Sequence, residues 1–419
     1  MATDVDVQYF SHLNGLTLGN NWGDLIRLLD KALVTGIDFT QITSASIDAQ
    51  GDVHITLYAA HNAMLFQVVE LSGFAPASLN QKYRIKGIPS ATQLILKPKA
   101  DIAERLITTI GTGKLASLGY EIIFRDTNDV KRVYRAKNPT AQHPFIRVDE
   151  SLTSPDGTTG VYASTYVKSA MVGLLENMEH IDDFENPDVL QLPFDPAAPA
   201  KNWTISGTGT NVTRGWVKWF WATSDDITNN PLEAFTAVAI NKWEICGDSN
   251  FFYVSPSLGS SNGAGFDIKP FYGCGVVEDT LVLLGTTRLL TAGNRTIWND
   301  IAASCPLVYS EFTSLFHTMK AGQLASMLSA PILPDYRSGQ SDIYGGTHVA
   351  PLEVPFFEIN SKTLHGVLPH VAYSGKNHSF ANQATPIISD ASMYIHCKAG
   401  FPRIGGQNGG FYFYLGGLE

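Results

Sequence analysis

Four groups of residues have the types and spacing to raise a question of chemistry. His365 and His370 stand five apart, with Gly366 and Pro369 between them. A zinc pair wants a four-residue step on a helix or close alternation on a strand, so this spacing is read against a metal. Glu176, Glu179, Asp182, Asp183, Glu185 and Asp188 form an acidic run. It lacks the alternating oxygen ligands and central glycine of a calcium loop and reads as a solvated face or helix-end cluster. Gly259 to Gly265 reads GSSNGAG, without the GxSxG order of a serine nucleophile's strained turn. Two carboxylates could hydrolyse a glycoside, but no local signature selects a pair among 39 acidic residues. The expectation is therefore no catalytic residue, no metal and no cofactor.

The aromatic string is more informative. Trp216, Trp219 and Trp221 lie within six residues, with Phe220 between the last two. On a strand Trp219 and Trp221 share one face and Phe220 takes the other. Such a strip fills a sheet core, packs a subunit interface or stacks a sugar, and all three readings stay open here.

Composition bounds the rest. A chain of 419 residues suggests two to four domains. Charged residues are 16%, aromatics 11%, and glycines number 37, which fits a β-rich protein whose surface is partly covered by partners. The net charge of −10 and scattered lysines and arginines argue against direct nucleic-acid binding. The densest basic run, Lys131 to Lys137, alternates and divides between two strand faces. Cys246, Cys274, Cys305 and Cys397 are too far apart for a zinc knuckle and read as reduced, buried thiols. The opening MATDVDVQYF lacks the regions of a signal peptide, and no apolar run reaches the ~20 residues of a membrane span.

The clearest element is a helix from Asn20 to Gly36. Trp22, Leu25, Ile26, Leu29 and Leu33 form one stripe, Asn20 or Asn21 is the expected N-cap, and Gly36 the left-handed stop. The stripe must be buried against the neighbouring β-domain or another subunit. Five strands are expected at Ile42 to Ile47, Val53 to Tyr58, Leu65 to Leu71, Lys82 to Lys86 and Leu94 to Lys97, making a small barrel or sandwich. Helical spacing predicts further helices over Ile102 to Ile110 and Ser310 to Leu328. The fold class is mainly β with a few helices (α+β). Residues 1–37 form an arm and docking helix, 38–100 the small β-domain, 101–191 a connecting segment, 192–202 a Pro-rich linker, and 203–419 a β-rich body.

Several segments resemble a poorly characterised group of virion structural proteins of tailed bacteriophages. They are the Asn-Asn-Trp-Gly start at Asn20 with Leu29-Asp30, VYRAKNP from Val133, IRVDE from Ile146 and IDDF from Ile181 (with Met178 before it). Gly247-Asp248 leading to Phe252-Tyr253, and HGVLPHV from His365, complete the set. The last third lacks the closing motif of the group. The resemblance implies a non-enzymatic subunit of a tail, baseplate or tail-fibre attachment. Such a subunit is made in the bacterial cytoplasm and carried on the virion, with copies of itself and other virion proteins as partners. A receptor- or glycan-binding tail protein that contacts a host surface glycan is the first alternative. A head–neck connector or capsid decoration protein is the second.

Overall fold

The computed structural model describes residues 5–137, 139, 143–152, 168–186, 188–194, 197–206, 213–215, 217–222, 242–257, 271–278, 280–287, 314–320, 323–329, 351–358, 363–373, 384–400 and 408–418. Trp216, Cys305 and the GSSNGAG string lie outside them. The chain is mainly β. One short α-helix, Asp24–Leu29, continues as a wider helical turn over Asp30–Thr35. No helix among the described residues is long and apolar enough to cross a membrane.

Three large antiparallel sheets surround the helix. In the first sheet the strands Ile42–Ile47, Val53–Leu57, Lys82–Ser90 and Gln93–Pro98 form close to their expected places, and Val68–Ser72 begins three residues later than expected. Ile37–Asp38 and Thr112–Leu115 complete a sheet of seven. Tyr83, Ile85, Leu94 and Leu96 alternate inward and meet Leu25, Ile26, Leu29 and Leu33 of the helix in one core.

The second sheet also has seven strands, among them Tyr120–Arg125, Lys131–Ala136, Phe145–Asp149, Lys168–Leu175 and Val217–Ala222. The Pro-rich segment lies against it. Asn202 donates to the Val172 carbonyl (3.0 Å) and accepts from the Val217 N–H (3.0 Å), while Trp203 is buried.

The third sheet has twelve strands, beginning at Gln8–Ser11 and ending at Thr385–Ser389. It folds over on itself. Tyr253, on the third strand in spatial order, packs against Phe413 on the tenth, with ring centroids 6.1 Å apart. Phe251, Phe271, Phe356 and Phe411 fill the space between. Cys246, Cys274 and Cys397 are buried.

Neither of two expected helices forms among the described residues. Ser310 to Leu328 contains instead the paired strands Ser314–Lys320 and Gln323–Ser329, in register from Ser314↔Ser329 to Lys320↔Gln323. Residues 310–313 lie outside the description. A short apolar run fits both periods, and here open sheet edges on either side, at Thr280–Leu284 and Leu352–Glu358, decide for strand. Ile102 to Ile110 is an extended strap. The N–H groups of Thr108 and Thr109 donate to the Ala75 carbonyl, and Arg105 donates to the carbonyls of Asp48 and Ala49. The backbone is held at Thr108 and Thr109, the Arg105 side chain adds a second tie, and Leu106 between them is 70% exposed.

Candidate functional site

The N-terminal helix does not use Asn20 or Asn21 as its cap. Its N-cap is Gly23, at φ 88°, and no side chain of its own segment caps it. Glu150, over a hundred residues away, does so. Its carboxyl oxygens accept from the N–H of Gly23 and from that of Ile26 (2.8 Å). These are two of the free donors at any helix start. Gly36 ends the helix in the left-handed region (φ 75°), as its position predicts.

Gly23 is required twice over. A side chain there would adopt a left-handed backbone, and its Cβ would lie 2.9 Å from the Asp129 carbonyl oxygen. Gly23→Ala is expected to cost about 2 kcal/mol. A urea midpoint equal to that of the wild type would refute this.

Trp22 lies over the same junction. The Arg214 guanidinium sits 4.7 Å from its ring centre, and Trp221 meets it edge-on at 5.8 Å. Glu150 is fully buried. Burial pushes its carboxyl up to about 8, against the lowering effect of the Ile26 and Gly23 N–H groups and of Arg214.

Strand Lys131–Ala136 divides its residues between two faces, as alternation predicts. Arg132 and Tyr134 turn to the helix. Arg132 pairs with Asp30 (3.2 Å) and Asp129, and the Tyr134 hydroxyl donates to Asp30 (2.8 Å). On the other face Arg135 lies over the Phe145 ring (4.5 Å).

The acidic run binds side chains of the sheet. Asp182 accepts from Arg147 (2.9 Å) and pairs with Lys131 (3.2 Å). Asp183 caps the N–H groups of Glu179 and His180. Arg147 is completely buried between the rings of Phe184 (4.6 Å) and Trp203 (4.3 Å), and pairs also with Asp149 (2.9 Å). Burial works against the Asp149 carboxylate, but Arg147 and Lys131 outweigh it and hold its pKa below the ordinary range. Arg147→Lys keeps the charge and loses the planar fork that stacks and donates twice. It is expected to cost about 2 kcal/mol in chemical denaturation, and an unchanged midpoint would count against this packing.

His370 lies on Leu364–Tyr373, where the pairing slips, and has φ 58°. Its Nε2 meets Asp248 at 3.0 Å, while Tyr253 donates to the Pro369 carbonyl at 2.7 Å. Burial opposes the Asp248 carboxylate. His370 and the Asn250 and Phe251 N–H groups overcome that and lower its pKa.

The candidate contact residues therefore fall inside the chain. Leu25, Ile26, Leu29, Leu33, Trp219 and Trp221 are at most 1% exposed, and Phe220 equally so. They pack the core of this chain and offer no surface to a neighbour or a sugar; Trp22 is half-buried.

The segments singled out by sequence thus meet in pairs: Gly23 with Glu150, Arg147 with Asp182, Asp248 with His370. The fold and these contacts define a mainly-β protein held by buried polar clasps. No family model matches the chain, and no curated protein does. Among solved structures it is similar to a phage phi92 endosialidase, at 10% sequence identity and a TM-score of 0.14, over 90% of this chain. The chain spans about half (50%) of that protein's length. A likeness that low carries no weight for fold or activity.

Proposed function

We propose that this chain is a structural subunit of a tailed-phage particle, at the tail, baseplate or fibre attachment, and that it acts by assembly without catalysis. The supporting observation is the pairing of the segments that resemble virion proteins. Each reaches across the chain to another through a buried charge or capped backbone group. Residues used in this way hold a rigid shape, which is what a subunit of repeated contacts needs. Contacts with neighbours then belong to exposed groups such as Tyr58 (78% exposed) and Leu106. Mass spectrometry of purified particles, followed by cryo-EM of the intact tail, tests the reading. It predicts a fixed copy number at one symmetric position. A soluble catalyst absent from particles would refute it.

A second reading, glycan contact, has one observation in its favour. Tyr394 lies 5.5 Å from the ring of Tyr414 and 5.8 Å from that of Tyr412, and Tyr414 is 38% exposed. Tyrosines of this kind offer a stacking surface with a polar tip. Glycan-array binding that Tyr414→Ala abolishes would establish it, and a blank array would dismiss it.

A further inference from the structure

The basic residues look scattered in sequence, yet the fold gathers six of them. Tyr83 and Ile85 enter the core, so Lys82, Arg84 and Lys86 take the other face of their strand, where Arg84 is buried beneath Val7 and Leu415 and the two lysines flank it. By the same alternation Leu96 leaves Lys97 there, Leu71 leaves Glu70, and Leu115 leaves Lys114. Glu70 is cross-strand partner to both Lys82 and Lys114. The Lys99 N–H donates to the Lys82 carbonyl, and Lys137 is close enough to act electrostatically on Lys82. Four carboxylates are interleaved, Asp38 among them as the cross-strand partner of Lys114. Lys99 pairs with Asp6 (3.4 Å), Lys114 with Glu70 (3.4 Å), and Lys86 and Lys97 with Asp52. Six lysines against four carboxylates give these groups +2 in a chain of −10, so the remaining residues sum to −12. The lysine side chains stay accessible, Lys99 at 53% and Lys114 at 31%.

We infer that this lysine face is a subunit contact that receives an acidic surface of a second copy of the chain. The inference rests on the assembly reading and names one of its contacts. Charge complementarity selects the occupant: every copy brings a positive face and a strongly negative remainder. The interleaved carboxylates disfavour a polyphosphate chain, which repels each of them, and suit a protein surface of mixed charge. A positive face that meets a different, negative face of its neighbour makes a head-to-tail contact. Repeated, it closes into a ring or runs on as a filament.

The test is sedimentation velocity of the full chain at about 50 mM and about 500 mM salt, where screening differs severalfold in range. The wild type should self-associate at low salt, about tenfold or more tightly than at high salt. The double variant Lys99→Glu/Lys114→Glu should lose that association while its melting curve shows it folded. Because the variant keeps its acidic face, adding it to the wild type should cap growing assemblies and shorten them. Association indifferent to salt and to both substitutions would overturn the lysine contact and leave the assembly reading standing. A wild type that stays monomeric at low salt would overturn it too. So would wild-type binding of an oligonucleotide or anionic oligosaccharide, lost in the variant, without self-association. Absence of the chain from particles is the separate result that removes the assembly reading itself.

Discussion

Replacing Arg84 with leucine is expected to lower the unfolding free energy by about 3–5 kcal/mol. Arg84 is completely buried. Its guanidinium donates to the carbonyls of Val7 (2.9 Å), Phe66 (2.6 Å) and Leu415 (2.9 Å). Those acceptors belong to the N-terminal arm, the segment that leads into strand Val68–Ser72, and the strand Asn408–Gly417. Leucine fills part of the volume but leaves three carbonyls in a dry interior without a donor, and each such loss costs about 1–3 kcal/mol. The arm has a second anchor, since Gln8 donates to the Val68 and Ala116 carbonyls at 2.8 Å. Loss of protection should therefore spread unevenly. In hydrogen exchange the strand Asn408–Gly417 should open most and Gln8–Ser11 less, while Ile42–Ile47 stays protected. Arg84→Lys restores the charge with a compact head that cannot span all three acceptors, and should recover only part of the loss. A leucine variant with the wild-type urea midpoint would show that the three segments are held together by other means.

The sequence revealed those elements whose pattern is local. The helix stripe is legible because burial of one face repeats every three to four residues, and strand Ile42–Ile47 because turns bracket an alternating run. The expected helix over Ser310 to Leu328 fails for the opposite reason. Its strands owe their form to partners at Thr280–Leu284 and Leu352–Glu358, which local spacing cannot register. The cap of the first helix escapes local reading because Asn20 and Asn21 satisfy the local rule, whereas Glu150 approaches from 124 residues beyond Ile26. Similar distances hide the other clasps. Asp248 and His370 are 122 residues apart, and Arg84 and Leu415 are 331. Glu150, Asp182, Asp248 and His370 each take part in one of these long-range contacts. The lysine face left no signal in sequence, because it exists only when four strands lie side by side.

Glu150 should give the chain an inverted pH dependence over the neutral range. Its carboxyl is pushed from an ordinary 4.5 up to about 8, first by burial, with Asp24 adding to the rise. A raised carboxyl means that the folded state holds a proton which the unfolded state has released. Between pH 4.5 and about 8 the folded chain therefore binds one proton more. This group's contribution to stability then falls as pH rises, by about 1.4 kcal/mol per pH unit at most. Other groups titrate in the same range, so the quantity to measure is the difference between the wild type and Glu150→Gln. Glutamine keeps the shape and one acceptor for the helix N–H groups, and it carries no charge at any pH. The wild type should lose ground to Glu150→Gln steadily from pH 5 to pH 8, by about 3–4 kcal/mol in total. At the alkaline end the glutamine variant is then the better folded of the two. A difference that stays flat over that range, or that moves in favour of the wild type as pH rises, would mean that Glu150 is ionised in the folded chain. In that case the N–H groups of Gly23 and Ile26, together with Arg214, stabilise the carboxylate more than burial penalises it.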